Sequence, residues 1–330
     1  MTAFVATTTG VYPLPDWAKD ALADLKGHQR GGLVSGDEGA EVTDVYDRAR
    51  AEVVDLQRDA GLDRVVEGQL RWDDMLAHPL AVHDNVETGG IVRYYDNNNF
   101  YRDVRVVDEL TADGDVAADL AALADLDVVP EARQAVLPGP YSLADLATDA
   151  HYGGEGDFLE AVAEFLAGEV AALPEVATLF LLEPSLVTAA DGVDDAATAA
   201  IDRVADATDA DVVVHTYWGA LDEAVYGRLL DAAVDGVGHD FVHGREGSLE
   251  LLAEHGSHDQ LAVGAVAGRN SRVESPAEIR DAAEAAVERV GAVETVYLTP
   301  NTELCYLPVG RFEAKLRALA ETAQTTEVTA

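Results

Sequence analysis

Short β-branched runs recur along this chain, each followed by a longer alanine-rich stretch with helical spacing, and this alternation limits the fold more than any other feature. A short run without polar interruption is buried on both faces, which is the situation of a parallel strand. Parallel neighbours need a helical crossover to bring the chain back. The runs are Phe4 to Thr9, Arg64 to Gly68, Ala135 to Pro138, Thr178 to Glu183, Val212 to His215, Val237 to Phe241, Leu261 to Val266 and Thr295 to Thr299. Eight strands with intervening helices are what an α/β fold of the (β/α)8 TIM-barrel type requires. Helical spacing is clearest over Pro15 to Lys26, Thr43 to Ala60 (apolar stripe Val45, Ala49, Val53, Leu56), Asp194 to Ala207, and Pro276 to Val290, where Ser275 stands as N-cap. Between the second and third strands, Ile91 to Arg105 and Leu126 to Arg133 read as a loop excursion, because Tyr94 to Tyr101 is dense in turn formers and aromatics. One barrel domain is expected over 1–323, with a frayed tail over 324–330.

Composition narrows the partners. The net charge is -40, with 62 acidic against 22 basic residues, and lysine is reduced to Lys19, Lys26 and Lys315. An acidic excess spread along the whole chain suits a solvated surface in salt-rich, halophilic conditions, where screening removes most of the self-repulsion. It also argues against nucleic acid and against an anionic membrane surface. Cys305 is the single cysteine, so no intramolecular disulfide forms. With no basic, apolar leader and no run of the ~20 apolar residues that span a bilayer, a soluble cytoplasmic protein is expected.

At a barrel mouth the strand ends converge, so the residues that close each run become the candidates: Thr9, Glu67, Pro138, Glu183, His215, Asp240, Val266 and Asn301. Three carboxylates and a histidine there exceed what stability asks for, since a buried charge without a partner costs several kcal/mol. They are candidates for metal, proton or substrate chemistry. The bland alternative is that each is a satisfied polar group tying down a loop. His239 points away from Asp240 on an alternating strand and is expected to be structural.

The order of strand-end segments, TTTGVYP, VVEGQ, LPGPYSLADL, LLEPSL, VVVHTYWG, GVGHDFVHG, GAVAGRN and LTPNTELCYLP, resembles the cobalamin-independent methionine synthase family, including its archaeal single-barrel members. The resemblance implies a homocysteine S-methyltransferase in which zinc activates the homocysteine thiolate and the methyl donor is methyl-tetrahydrofolate or methylcobalamin. In the family's catalytic barrel the fifth strand ends in His-x-Cys, the sixth in glutamate, and a second cysteine follows the eighth. This chain has His215-Thr216-Tyr217, Asp240 and Cys305 at the corresponding places, so a phenol stands where a thiolate ligand is expected. The resemblance thus implies His215 and Asp240 as catalytic and His215, Asp240 and Cys305 as a zinc set. Glu67 and Glu183 would hold an amino group, Asn301 a carboxylate, and Asp96 and Asn97, among Tyr94, Tyr95, Phe100 and Tyr101, a pterin or a lid. Asp240-Phe-Val-His-Gly-Arg245 and Gly268-Arg-Asn270 are closer to the family's amino-terminal barrel, which lacks zinc. A second reading therefore stays open, an accessory barrel that pairs with a separate catalytic chain and helps bind the folate.

Overall fold

Most of the expected strands form, and their partners explain where each begins and ends. The computed structural model describes residues 2–23, 39–72, 74–92 and 101–326. Seven strands run parallel in one sheet: β1 (Ala3–Ala6), β4 (Gln134–Pro138), β6 (Thr178–Leu182), β7 (Asp211–His215), β8 (Gly236–Asp240), β9 (Gln260–Val266) and β10 (Thr295–Pro300), in the order β1-β10-β9-β8-β7-β6-β4. Every residue of β4, β6 and β8 is buried, as continuous apolar runs require when helices cover one face and the barrel interior fills the other.

The second expected strand is the exception. It is reduced to an isolated bridge at Val65, which nevertheless closes the ring between β1 and β4. Asp63 N and Arg64 N donate to Ala6 O, Val65 N donates to Ala132 O, and Gln134 N donates to Val65 O. The next residue leaves the ladder because a side chain takes both of its backbone groups. Gln57 accepts from Val66 N at 3.0 Å and donates to Val66 O at 2.8 Å. A buried amide therefore satisfies backbone groups that a strand neighbour would otherwise pair. With this eighth stave the sheet is a (β/α)8 barrel.

The outer ring follows from helical spacing and caps. The long helix α2 (Ala40–Ala60) buries Ala49 and Val53 but also Tyr46, Arg50 and Gln57, so polar side chains reach inward from it. It comes after a short α1 (Asp16–Ala21), of which Lys26 lies outside the described residues. The excursion between the second and third staves contains a short α3 (His78–Ala81), an antiparallel hairpin of β2 (Val86–Val92) and β3 (Tyr101–Val106), and α4 (Asp115–Asp125). Residues 94 to 100, with Asp96 and Asn97, lie outside the described residues. Next come α5 (Pro140–Asp145), β5 (Thr148–Asp149) paired with β3, α6 (Glu155–Ala171), α7 (Ser185–Thr188), α8 (Asp195–Ala205), α9 (Glu223–Leu230), α10 (Arg245–His255), α11 (Pro276–Val290) and α12 (Val309–Thr326).

Ser275 caps α11 as expected, and Glu278 completes a full capping box with it. Because α12 runs through Thr326, the first residues of the expected tail are helical, and Thr325 Oγ1 donates to Glu321 O at 2.8 Å. Among the described residues no helix is long and apolar enough to cross a membrane.

Candidate active site

The strand ends do converge, and the structure divides them into two halves of one mouth. On the side of β7 to β10 the organising residue is Asn301, which directly follows β10 and is 1% exposed. A register shift between Thr299 and Pro300 brings it over β9, and Gly264 makes room, since a Cβ there would stand 2.8 Å from Asn301 Cα. Its carbonyl meets His215 Nε2 at 3.0 Å, its Oδ1 accepts from Gly268 N at 3.0 Å, and its Nδ2 lies 3.2 Å from both oxygens of Asp240. The histidine and aspartate that the sequence pairs across two strands are thus joined through a third strand.

Asp240 is fully buried and surrounded by donors. It accepts from Trp218 N at 3.0 Å, Val242 N at 2.8 Å and His243 N at 2.9 Å, and His243 Nδ1 lies 2.9 Å from Oδ2. Burial by itself would raise its pKa. The hydrogen bonds from the His243 side chain and backbone outweigh that and hold the carboxyl below its ordinary range. Because an ionised carboxylate only accepts, Nδ1 of His243 carries the proton and donates it to Asp240. In the neutral ring the other nitrogen, Nε2, is then unprotonated, on a side chain that is 46% exposed. The hydrogen bond to Asp240 raises the imidazole's pKa above the ordinary value.

His215 is less available than its position suggests. Its ring is completely buried, Nε2 is engaged by Asn301, and Nδ1 faces Gly238 so closely that a Cβ there would stand 2.1 Å away. Since Nε2 donates to a carbonyl, Nδ1 is the unprotonated nitrogen, buried and without a hydrogen-bond partner. Burial depresses the pKa to about 4, so the ring is neutral near pH 7. Tyr217 is 1% exposed and packs with its ring centroid 6.5 Å from that of His215.

The expected zinc set of His215, Asp240 and Cys305 is not gathered in this arrangement. Among the described residues the only group of histidine, cysteine and carboxylate donors within 4.8 Å of one another is Glu223, Glu254 and His255, on the outer helices α9 and α10. His215, Asp240 and Cys305 do not form such a group. One ring nitrogen of His215 is engaged and the other faces backbone, both Asp240 oxygens are occupied by donors, and burial raises the Cys305 thiol well above its ordinary pKa. These donors, as arranged, do not fit a zinc ion.

The other half of the mouth, from β1 to β6, spends its carboxylates on the protein itself. Glu67 accepts from Gln69 N at 2.5 Å and pairs with Arg50 Nε at 3.2 Å, while the same guanidinium lies 2.9 Å from Asp47. Glu183 accepts from Tyr141 N at 2.9 Å, Ser142 N at 2.7 Å and Ser142 Oγ at 2.6 Å, which fixes the turn entering α5. Burial, only partly offset by these bonds, raises its pKa to about 7. Beside it, a cavity of about 1040 Å³ opens between α5, α7 and the start of α6, and Asp145, Asp149, Glu155, Asp191 and Asp194 line it. Such a lining repels anions.

Sequence reasoning missed His243, Trp218 and Arg269. His243 stands three residues after Asp240 in the turn leaving β8, a spacing that lets side chain and backbone share one carboxylate, and this was the available signal. Trp218 has φ +77°, and Val11 and Gln69 have φ +39° and +50°. All three lie in loops leaving staves at this mouth, where strained backbone persists only if its surroundings hold it.

A family model described as the catalytic domain of cobalamin-independent synthases matches residues 183–325. A methionine synthase of Saccharolobus islandicus (strain L.S.2.15 / Lassen #1) is 23% identical over 300 residues, covering 90% of this chain and 87% of that protein. A 5-methyltetrahydropteroyltriglutamate--homocysteine methyltransferase of Halalkalibacterium halodurans is 28% identical over 242 residues, 68% of this chain and 30% of that one. In fold, the chain is similar to a B12-independent methionine synthase from Shewanella sp. W3-18-1, solved in complex with selenomethionine, with a TM-score of 0.76 at 20% identity over 98% of this chain and 97% of that one.

Proposed function

We propose that this chain, which belongs to the cobalamin-independent methionine synthase family, transfers a methyl group from a methyl-folate to the thiol of homocysteine at the mouth of its barrel. The observation that carries the reading is where the family match falls. Residues 183–325 contain β7 to β10 and with them Asp240, His243, Asn301 and Arg269, the half of the mouth that keeps a half-exposed imidazole. The corrinoid donor weighed from the sequence is not retained, because the matched family is described as cobalamin-independent.

Methyl transfer to sulfur needs a thiolate as nucleophile and a proton for the departing nitrogen of the pterin. His243 offers its bare Nε2 to the thiol proton, and Asp240 fixes the tautomer that makes this possible and stabilises the imidazolium that results. His215 and Asn301 are positioning residues that hold Asp240 and the β9 loop in register. Glu67 and Glu183 shape the opposite wall. Zinc, when present in an enzyme of this class, supplies thiolate activation. This chain's donors do not fit it, so proton transfer is assigned to His243.

The test is direct. Protein dialysed against a chelator and then supplied with 5-methyltetrahydropteroyltriglutamate and homocysteine should form methionine, and methylcobalamin should not replace the donor. No methionine from either donor with the chain alone, restored by a second synthase-like chain, would move the assignment to the accessory-barrel reading. Activity that disappears on chelation and returns with zinc would show that the donor set rearranges to take the metal.

A further inference from the structure

Arg269 is a cation at the mouth whose surroundings are built and whose Nη2 has no hydrogen-bond partner among the described residues. It sits in the loop leaving β9, with its guanidinium carbon 4.6 Å from the centroid of the Trp218 ring and 5.2 Å from that of Tyr306. The two residues that lead into the fork are fixed. Gly268 N donates to Asn301 Oδ1 at 3.0 Å, and Ala267 N donates at 3.3 Å to Glu274, whose other oxygen takes the buried Lys315 ammonium at 2.6 Å. The Trp218 platform is itself held, in a left-handed backbone, by the 3.0 Å hydrogen bond from its N–H to Asp240. Two aromatic faces and a pinned loop remove most of the freedom that an arginine ordinarily loses on binding.

Against that preparation, Nη2 of Arg269 is buried and takes no hydrogen-bond partner among the described residues. Leaving a buried guanidinium nitrogen without an acceptor is costly, and a planar fork is suited to one acceptor in particular, a carboxylate. Glu303 does not fill the role. Its Oε2 is likewise buried and unpartnered, and burial favours its protonated form. In a chain of net charge -40, an anionic substrate approaching the mouth meets repulsion nearly everywhere else, so one prepared cation decides where it docks.

We propose that Arg269, backed by Trp218 and Tyr306, is the carboxylate-binding site of this barrel and anchors a substrate through its carboxylate, beside His243. The proposal rests on the methyl-transfer reading for the identity of the substrate. Homocysteine carries one carboxylate and a pteroylglutamate donor carries several, and both would present the same group to the fork.

Calorimetry at fixed ionic strength separates the two sources. The probes are L-methionine against its carboxylate-free analogue 3-(methylthio)propylamine, pteroyltriglutamate against pteroylmonoglutamate, and tri-γ-glutamate alone. The variants are Arg269→Met, which keeps the packing on the rings, and Arg269→Lys, which keeps charge without the fork. Wild type should prefer the carboxylate-richer member of one pair by about tenfold or more, the scale of charge-assisted hydrogen bonds. Arg269→Met should abolish that preference and Arg269→Lys reduce it. Preference within the methionine pair assigns the amino-acid carboxylate, and preference within the pteroyl pair assigns the glutamyl tail. Tri-γ-glutamate binding that Arg269→Met removes, in a protein that forms no methionine, would leave the anion site standing and the methyl-transfer reading fallen. Arg269→Met with wild-type affinity for every probe, or wild type that binds none of them, would overturn the proposal. Near-UV circular dichroism of both variants separates a lost site from a lost fold.

Discussion

The two halves of the barrel mouth use the same chemistry to opposite ends. From β1 to β6, Glu67 and Glu183 are buried carboxylates whose acceptors are filled by Arg50, Gln69, Tyr141 and Ser142. From β7 to β10, Asp240 is equally buried and equally filled, but one of its donors, His243, is itself 46% exposed, and the neighbouring loop carries Arg269, whose buried Nη2 has no hydrogen-bond partner among the described residues. A saturated carboxylate ends its own network. A carboxylate that orients a half-exposed imidazole passes its influence to the mouth. The difference lies in the last side chain of each network, not in the charge of the strand-end residue.

The comparison is broken most forcefully at Asp240. Asp240→Asn and His243→Gln should each lower kcat for methionine formation by about 10²–10⁴-fold, the usual range for a lost general base, while the far-UV spectrum is kept. A full-rate His243→Gln enzyme would erase the functional distinction between the halves. His215→Ala should behave differently from a ligand deletion. Metal content should not change, and urea denaturation should show a loss of about 2–5 kcal/mol, since a buried ring disappears and the Asn301 carbonyl loses its donor. Zinc that is bound by wild type and lost in this variant would restore the ligand role.

On the opposite side, Glu183→Gln should cost about 1–3 kcal/mol of stability, because an amide has one acceptor oxygen where three N–H and O–H donors converge, and it should leave kcat within about twofold. A large loss of kcat with stability intact would make Glu183 a substrate contact after all. Low salt probes the same half at lower resolution. Below about 0.1 M, where the Debye length reaches ~10 Å, hydrogen exchange should rise first around the acidic cavity between α5, α7 and α6. Uniform protection across that range would show that the acidic load is not concentrated there.

An effect that pH alone reveals concerns the outward face of β8. His239 is 1% exposed, neither ring nitrogen has a hydrogen-bond partner, and burial depresses its pKa to about 3. The folded state therefore refuses a proton that the unfolded chain accepts below its ordinary pKa of 6.5, so stability falls as pH drops from about 6.5 toward 3. In His239→Leu this contribution disappears, and the variant should gain on wild type by about 1.4 kcal/mol per pH unit between pH 6 and 4. Parallel stability profiles would mean that the ring is protonated in the fold.

Strand ends, helix spans and the Ser275 cap are legible in the sequence because they rest on local causes: β-branched runs, helical spacing and a side chain that reaches its own helix. The convergence of His215, Asp240 and Asn301 is legible too, since a parallel barrel delivers every strand end to one face. What those side chains do there is not local. Whether Val66 pairs with a strand was decided by Gln57, an amide arriving from α2. Whether His215 faces an open site was decided by the missing side chain of Gly238 and by the carbonyl of Asn301, 86 residues away. The order of the chain alone dictates which strand-end residues reach the mouth. The tertiary structure alone decided which of them keep an unfilled donor or acceptor, because that depends on partners from other strands, and a buried polar group takes whichever partner the fold sets beside it.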